Sequence, residues 1–150
     1  MPGSPTIRPV TRADRAGWEP LWAGYNRFYG RELPADITDA TWSRFFDPGE
    51  PVHALVAERD GELLGLVHYL FHRATIMIGP TCYLADLFTT ERARGQGIGR
   101  ALIEAVYERA RAGGAARVYW QTHETNRTAM LLYDRIAERS GFLVYRRNLE

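Results

Sequence analysis

Residues 84–100 read LADLFTTERARGQGIGR, and the reading of this stretch decides the rest of the chain. Together with the two residues before it, the stretch begins as an alternating segment. Cys82, Leu84, Asp86 and Phe88 would fall on one side of an extended chain, and Tyr83, Ala85, Leu87 and Thr89 on the other. Arg92 and Arg94 then lead into three glycines separated by single residues, Gly95, Gly97 and Gly99. After Gly97 the apolar residues recur at Ile98, Ala101, Leu102, Ala105, Val106 and Ala110, a helical spacing that stops at Gly113 and Gly114. A strand therefore delivers a glycine-rich turn to a helix N-terminus. Such a turn offers unpaired backbone N–H groups at the positive end of a helix dipole, and glycine lets an anion approach the backbone with no Cβ in its way. The expected ligand is a phosphate or pyrophosphate.

The spacing narrows the choice of ligand. A dinucleotide fingerprint G-x-G-x-x-G needs a glycine where Arg100 stands, and a P-loop needs Gly-Lys-Ser/Thr, which is absent. The run Arg94-Gly95-Gln96-Gly97-Ile98-Gly99 instead resembles the R/Q-x-x-G-x-G/A motif of the GNAT superfamily of acetyl-CoA-dependent N-acyltransferases, including the strand before it and the helix after it.

Composition sets the outer bounds. A chain of 150 residues with 45% hydrophobic content buries one sizeable core, so a single domain over 1–150 is expected. Lys+Arg 19 against Asp+Glu 18 leaves a net charge of +1, which provides no global field to draw in nucleic acid or an anionic membrane. The single cysteine, Cys82, allows no internal disulfide framework, and Cys/His metal spacing is missing, so no metal is expected. Without a long apolar run or a signal-peptide pattern, a cytoplasmic protein is the simplest expectation.

Upstream, Thr6 to Val10 reads as a short edge strand, with Thr11 and Asp14 as cap signals for the next helix. That helix carries Trp18, Trp22, Tyr25 and Tyr29 on one face, flanked by Leu21 and Phe28. The stripe reads chiefly as core, with part of it available as an aromatic wall for an amine. A second helix is expected over 36–46. Val52 to Glu58 and Glu62 to Phe71 read as strands of a hairpin around Asp60-Gly61. His53, His68 and His72 lie on or beside these strands and carry little weight as catalytic groups without geometry. Downstream, a strand over 116–122, parallel to the one at 82–89, precedes Asn126. A helix with inner positions Ala129, Leu132, Tyr133, Ile136 and Ala137 follows, and a last strand is expected over 142–149.

The resemblance runs from Cys82 to the C-terminus, with a weaker match upstream. Thr122 to Asn126, followed by Leu132-Tyr133, looks like the family's second cofactor segment. Cys82 to Phe88 resembles the Tyr-Leu-Glu-Asp strand of the subgroup containing spermidine/spermine, yeast histone/polyamine-type and D-amino-acid acetyltransferases, with Ala85 where that subgroup commonly has Glu. It implies an α/β GNAT fold, a mixed, mostly antiparallel sheet flanked by helices. It also implies acetyl-CoA as cosubstrate, an amine acceptor of small-molecule type, and homodimerisation. By resemblance the pantetheine arm would pair along Leu87, Phe88 and Thr89, and the Leu87 N–H would face the oxyanion. The pyrophosphate would meet Arg94, Gly95, Gln96, Gly97, Ile98, Gly99 and Arg100. Asn126 and Tyr133 would complete the cofactor site, with Tyr133 as the general acid.

The chemistry itself requires a neutral amine, a stabilised oxyanion and a proton for the leaving thiolate. With alanine at 85, the base is open among Asp86 acting through a water, a histidine such as His123, and an amine already neutral through desolvation. Asp86 cannot simply replace position 85 if strand residues alternate strictly. Cys82 lies at the start of the strand, away from the expected thioester, which favours direct transfer over a covalent intermediate. The rivals are a protein-lysine acetyltransferase and a non-catalytic acyl-CoA-binding module.

Overall fold

The computed structural model describes residues 3–149; Met1, Pro2 and Glu150 of the expected 1–150 domain lie outside the described residues. The chain divides into two compact units, Met1–Trp120 and Gln121–Glu150. The first holds strands β1 (Thr6–Pro9), β2 (Val52–Arg59), β3 (Glu62–His72), β4 (Thr81–Thr89) and β5 (Val118–Tyr119), with helices α1 (Arg15–Phe28), α2 (Ala35–Arg44) and α3 (Ile98–Ala112). The strands lie in the order β1-β2-β3-β4-β5, antiparallel through β4 and parallel between β4 and β5. This is the mixed, mostly antiparallel sheet expected. The second unit holds α4 (Arg127–Ile136).

Local chemistry explains the main turns. Asp60 and Gly61 both take positive φ, 53° and 79°, between the paired residues Arg59 and Glu62; this two-residue turn matches the right-handed twist of the strands it joins. Before α1 the Thr11 backbone N–H donates to Asp14 Oδ2 at 2.7 Å, and the Asp14 N–H donates back to the Thr11 carbonyl at 2.9 Å.

Successive residues of β3 face opposite sides of the sheet. On one side Leu66 packs with Ala54 and Val56 of β2, with Trp18, Leu21, Trp22 and Tyr25 of α1, and with Trp42 of α2. On the other side Gly65 lets α3 come close, since a Cβ there would lie 3.1 Å from Leu102 Cδ1 and 3.2 Å from Ile98 Cγ2. Ile98, Leu102, Ile103, Val106 and Ala110 form the buried stripe of that helix.

Three expectations need correction. Strict alternation along β4 fails, because His68 pairs with Asp86 while Tyr69 pairs with Leu84, leaving Ala85 as an extra residue without a partner on β3. The bulge turns Leu84 to the face of Tyr69 and Asp86 to the face of His68, so these two do not share a side. The strand expected over 116–122 is ladder-bonded only at Val118 and Tyr119, opposite Cys82 and Tyr83, and pairing ends just before the bulge bends β4. In the second unit the strand expected over 142–149 does not form. Phe142, Leu143, Val144 and Tyr145 are exposed there, and β propensity without a ladder partner does not make a strand.

Candidate active site and anion-binding turn

The glycine turn has the geometry its spacing implied. Gly95 and Gly97 take left-handed conformations, φ 78° and 80°, which residues with a Cβ adopt only under strain. No heavy atom lies within 4 Å of where a Cβ would stand at either one, so there is open space beside both residues. The α3 ladder starts with the Ala101 N–H donating to the Gly97 carbonyl at 3.0 Å, and the N–H groups of the preceding turn stand outside it. Those groups, at the positive end of a helix of 15 residues, suit an anion.

Arginines surround the turn. Arg94 folds back over the Phe88 ring, 5.6 Å from its centroid, and its Nε donates to the Thr89 carbonyl at 3.2 Å. Arg100 pairs with Glu104 one turn on, at 2.9 Å, and Arg92 pairs with Glu62. Arg59, at the tip of the β2–β3 hairpin, donates to Gln96 Oε1 at 2.9 Å. Sequence reading did not bring Arg59 to this turn, because only the hairpin pairing carries it there. A groove of about 730 Å³ lies between α1 and the end of β4 and reaches as far as Arg94, lined by Arg27, Arg92 and Arg94 together with the carboxylates of Glu58, Glu62 and Glu91 and the Phe88 ring, among others. The open glycine backbone and these arginines fit the pyrophosphate of a CoA-type cosubstrate. Asp86, Tyr25 and His68 lie outside this groove's lining.

A second cluster of chemistry sits deeper on the α1 face. Trp18 stacks on Trp22 at 5.9 Å and Trp22 on Tyr25 at 5.5 Å, with Tyr25 edge-on to Tyr29 at 5.2 Å. The stripe runs from a fully buried Trp18 to an exposed Tyr29, so most of it is core and only its end is open. Behind the rings His68, 2% exposed, accepts from Trp18 Nε1 at 3.0 Å through Nε2 and meets Asp86 Oδ2 at 3.0 Å through Nδ1. The Asp86 side chain keeps 21% of its surface exposed. Burial raises the Tyr25 phenol well above its ordinary value, and the charge of Asp86 and a hydrogen bond with it add to the effect. Trp22 Nε1–H is buried with no acceptor among the described residues. Sequence reading gave His68 little weight; the hint it held was an aromatic stripe at helical spacing facing a strand that carries a histidine.

Cys82 is fully buried, and burial pushes its thiol up to about 11. It is a poor nucleophile where it stands. Leu87 and Thr89 lie opposite Val67 and Gly65, on the α3 side of β4, while Phe88 lies opposite Leu66. Beyond Tyr83, β5 offers β4 no further ladder partners.

In the second unit Asn126 precedes α4 and donates through Nδ2 to Thr122 Oγ1 at 3.4 Å. Ala129, Leu132, Tyr133 and Ile136 are half-buried at helical spacing, while Ala137 is exposed. His123 is exposed, and its Nδ1 lies 2.7 Å from Thr125 Oγ1 in a local turn. Among the described residues no group of three His, Cys, Asp or Glu is gathered as for a metal ion, and no helix is long and apolar enough to cross a membrane.

Comparison with known proteins agrees with the fold. The model of the acetyltransferase (GNAT) family matches residues 18–137. The D-amino-acid N-acetyltransferase HPA3 of Saccharomyces cerevisiae is 35% identical over 144 residues, covering 95% of this chain and 89% of the yeast protein. An uncharacterized N-acetyltransferase of Bacillus subtilis, YhfO, is 30% identical, covering 93% of this chain and 94% of its own. Among solved structures, the aminoglycoside N-acetyltransferase AAC(6')-Iy in complex with CoA superposes with a TM-score of 0.83 at 18% identity, over 97% of this chain and 96% of the other. At that identity the likeness shows the fold.

Proposed function

Because the chain belongs to the acetyltransferase (GNAT) family, whose members are N-acetyltransferases using acetyl-CoA, we propose that it transfers the acetyl group directly to the primary amine of a small molecule, of polyamine or amino-acid type. The observation that carries this reading is the open turn with left-handed Gly95 and Gly97 at the start of α3, directly after a strand whose edge beyond Tyr83 is not taken by β5. Residues 87–89 would pair with the pantetheine arm, and the backbone from 94 to 100 would hold the pyrophosphate. Asn126 and Tyr133 would complete the cosubstrate site. The family match from 18 to 137 supports treating 1–150 as one such domain. On the same reading the enzyme is cytoplasmic and forms a homodimer, as the subgroup resemblance implies.

The amine must lose a proton before its nitrogen can attack the thioester carbonyl. Asp86 is the proposed acceptor of that proton, a carboxylate that keeps partial solvent access while His68 occupies one of its oxygens. As the C–N bond forms, charge gathers on the carbonyl oxygen, for which the Leu87 N–H is the proposed donor. The C–S bond then breaks, the thiolate takes the Tyr133 hydroxyl proton, and the surplus proton on the amide nitrogen leaves to solvent, from which the tyrosinate regains its own. A covalent acetyl-cysteine is disfavoured by the buried, protonated Cys82. Asp86 on the α1 face also supplies a carboxylate where alanine at 85 had left none, which favours turnover over mere cosubstrate binding.

The test incubates the protein with acetyl-CoA and a panel of polyamines, amino acids of both hands, aminated sugars and lysine peptides, with acetylated products read by mass. Small amines acetylated well ahead of peptides is the expected result, and peptides as the only acceptors would overturn the small-molecule reading. In the same series Gly97→Val forces a branched residue into a left-handed position and fills the open space beside it. CoA affinity by calorimetry should fall by about 10-fold or more, the equivalent of 1–3 kcal/mol of backbone strain. Unchanged affinity in the folded variant would remove the turn from the cosubstrate site.

A further inference from the structure

The chain Trp18–His68–Asp86 has its protons fixed from one end. An indole N–H can only donate, so His68 Nε2, 3.0 Å from Trp18 Nε1, must present its lone pair. A neutral imidazole then carries its proton on Nδ1, which lies 3.0 Å from Asp86 Oδ2 and donates to it. Adding a proton at Nε2 would set two N–H groups against each other at a ring that is 2% exposed. That nitrogen is therefore closed to acid–base work, and the histidine itself is not the base.

We propose that His68 is a positioning residue, locked by Trp18 in the Nδ1–H tautomer, which holds Asp86 Oδ2 so that Oδ1 is turned to the incoming amine. The proposal rests on the reading of Asp86 as the acceptor of the amine proton. The arrangement inverts the usual order of a catalytic dyad, in which a carboxylate orients an imidazole. Here the imidazole is the fixed part, and the carboxylate, with a fifth of its surface open, is the working part.

The surroundings of His68 add rigidity and little charge. From α1 come Trp18, Trp22 and Tyr25; from the residues after α2 comes Phe45, 4.8 Å from the imidazole; across the strands stand Ala54 on β2 and Asp86 on β4. Of these, Tyr25 and Asp86 are ionisable, and Arg31 is the cation whose charge reaches Tyr25. The Tyr25 phenol is raised by its burial and by the nearby Asp86 charge, so it stands beside the carboxylate as a neutral group, and the hydrogen bond from His68 Nδ1 is what holds Asp86 Oδ2.

Two measurements test the proposal on the intact protein. The first is nitrogen NMR of the His68 ring at neutral pH. Nδ1 should be of the protonated type and Nε2 of the lone-pair type, and an imidazolium or an Nε2–H tautomer would overturn the lock. The second compares His68→Leu, His68→Asn and Asp86→Asn. His68→Leu removes the donor, and kcat should fall about 10-fold or more, as when a group that orients a working residue from behind is lost. The KM for acetyl-CoA should not move. His68→Asn offers an amide N–H near the place of Nδ1 and should restore most of the rate. A folded His68→Leu variant with the parental rate, beside a crippled Asp86→Asn, would overturn the positioning role and leave the Asp86 reading standing. An active Asp86→Asn variant would overturn both. If His68→Leu does not fold, the tautomer measured on the parent still decides.

Discussion

The two faces of the sheet in the first unit are built from different materials. The α3 face is closed mainly with Leu102, Ile103, Val106 and Ala110 against Val67, Leu84 and Cys82, side chains that ask only to be kept from water, with the buried Tyr69 beside them. The α1 face is closed with three tryptophans and a tyrosine, and within it sit His68, Asn26 and the edge of Asp86. Asn26 is satisfied locally, its Nδ2 donating to the Trp22 carbonyl at 2.9 Å. Burying polar groups costs stability unless each finds a partner, so an aliphatic interior would be the simpler way to hold this sheet. The contrast teaches a division of labour, in which α3 anchors the fold and presents its N-terminus to an anion while the α1 face holds oriented polar groups next to solvent.

That division makes opposed predictions. Leu102→Ala, at a fully buried position packed on Gly65, should cost about 3 kcal/mol, the middle of the range for a leucine truncated in a core. In a chain of this size that lowers Tm by about 10 °C, with the activity per folded molecule kept. Asp86→Asn should behave in the opposite way. Its kcat should fall about 100-fold, while Tm by calorimetry stays within about 4 °C of the parent, since the substitution is isosteric and a fifth of the side chain lies in solvent. If Leu102→Ala destroys the rate of the folded enzyme, or Asp86→Asn unfolds it, the two faces are not specialised.

The parts of this arrangement that could be read from the sequence are those whose signals are local. The Asp60-Gly61 hairpin, the glycine turn and the α3 stripe each follow from a few neighbouring residues, and the structure has them where the pattern puts them. The bulge at Ala85 leaves no such mark, because an inserted residue looks like any other strand residue until its partner strand is known. Strict alternation therefore put Asp86 beside Leu84 and away from position 85's expected role, whereas the register puts Asp86 opposite His68. The Trp18–His68 bond and the Arg59–Gln96 bond join residues far apart in the chain, and only the packed sheet brings them together. Where the ladder ran out, the strand expected over 116–122 is shortened to Val118–Tyr119 and the one expected over 142–149 does not form, although their composition suited a strand.

Not every polar group near α1 serves chemistry, and Asp14 provides the control. Its carboxylate accepts from Arg8 at 2.8 and 2.9 Å, and Arg8 also reaches Glu58 at 2.6 Å. The hydrogen bond from Arg8 holds Asp14 down to about 2, against the opposing effect of burial. A carboxyl depressed in the folded state contributes stability that is complete above its unfolded value near 4 and is lost as pH falls toward 2. With Arg8 a quarter exposed and partly screened, the contribution is about 1–2 kcal/mol. Denaturant melts of Asp14→Asn and the parent should differ by that amount at pH 7 and converge near pH 2, with no change in the rate at saturating substrate. A gap that persists at pH 2 would mean that Asp14 acts through packing or its bonds to Thr11, and the ion pair would drop out of the account.

The smallest predicted effect separates two tryptophans one helical turn apart. Trp18 donates to His68, while Trp22, 8% exposed, has a buried indole N–H without an acceptor among the described residues. Replacing either by phenylalanine removes similar ring area, yet the consequences should differ. Trp18→Phe strands the Nε2 lone pair of His68 in a dry site, and an unsatisfied buried acceptor costs about 1–3 kcal/mol beyond the lost packing. Trp22→Phe instead removes a donor that already stands unpaired, so the relief offsets part of the lost ring, and the net change should stay within about 1 kcal/mol. Thermal melts of the two variants side by side would show this as a Tm for Trp22→Phe at least 4 °C above that of Trp18→Phe, taking about 2–4 °C per kcal/mol for a chain of this size. Equal losses would mean that the Trp22 donor is satisfied in solution by a buried water, and the contrast between the two indoles would collapse. If instead Tm holds and the KM for the amine rises in Trp22→Phe, the orphaned donor belongs to the acceptor site. The α1 face would then be shown to hold a buried polar group for its ligand at a standing cost to its own stability.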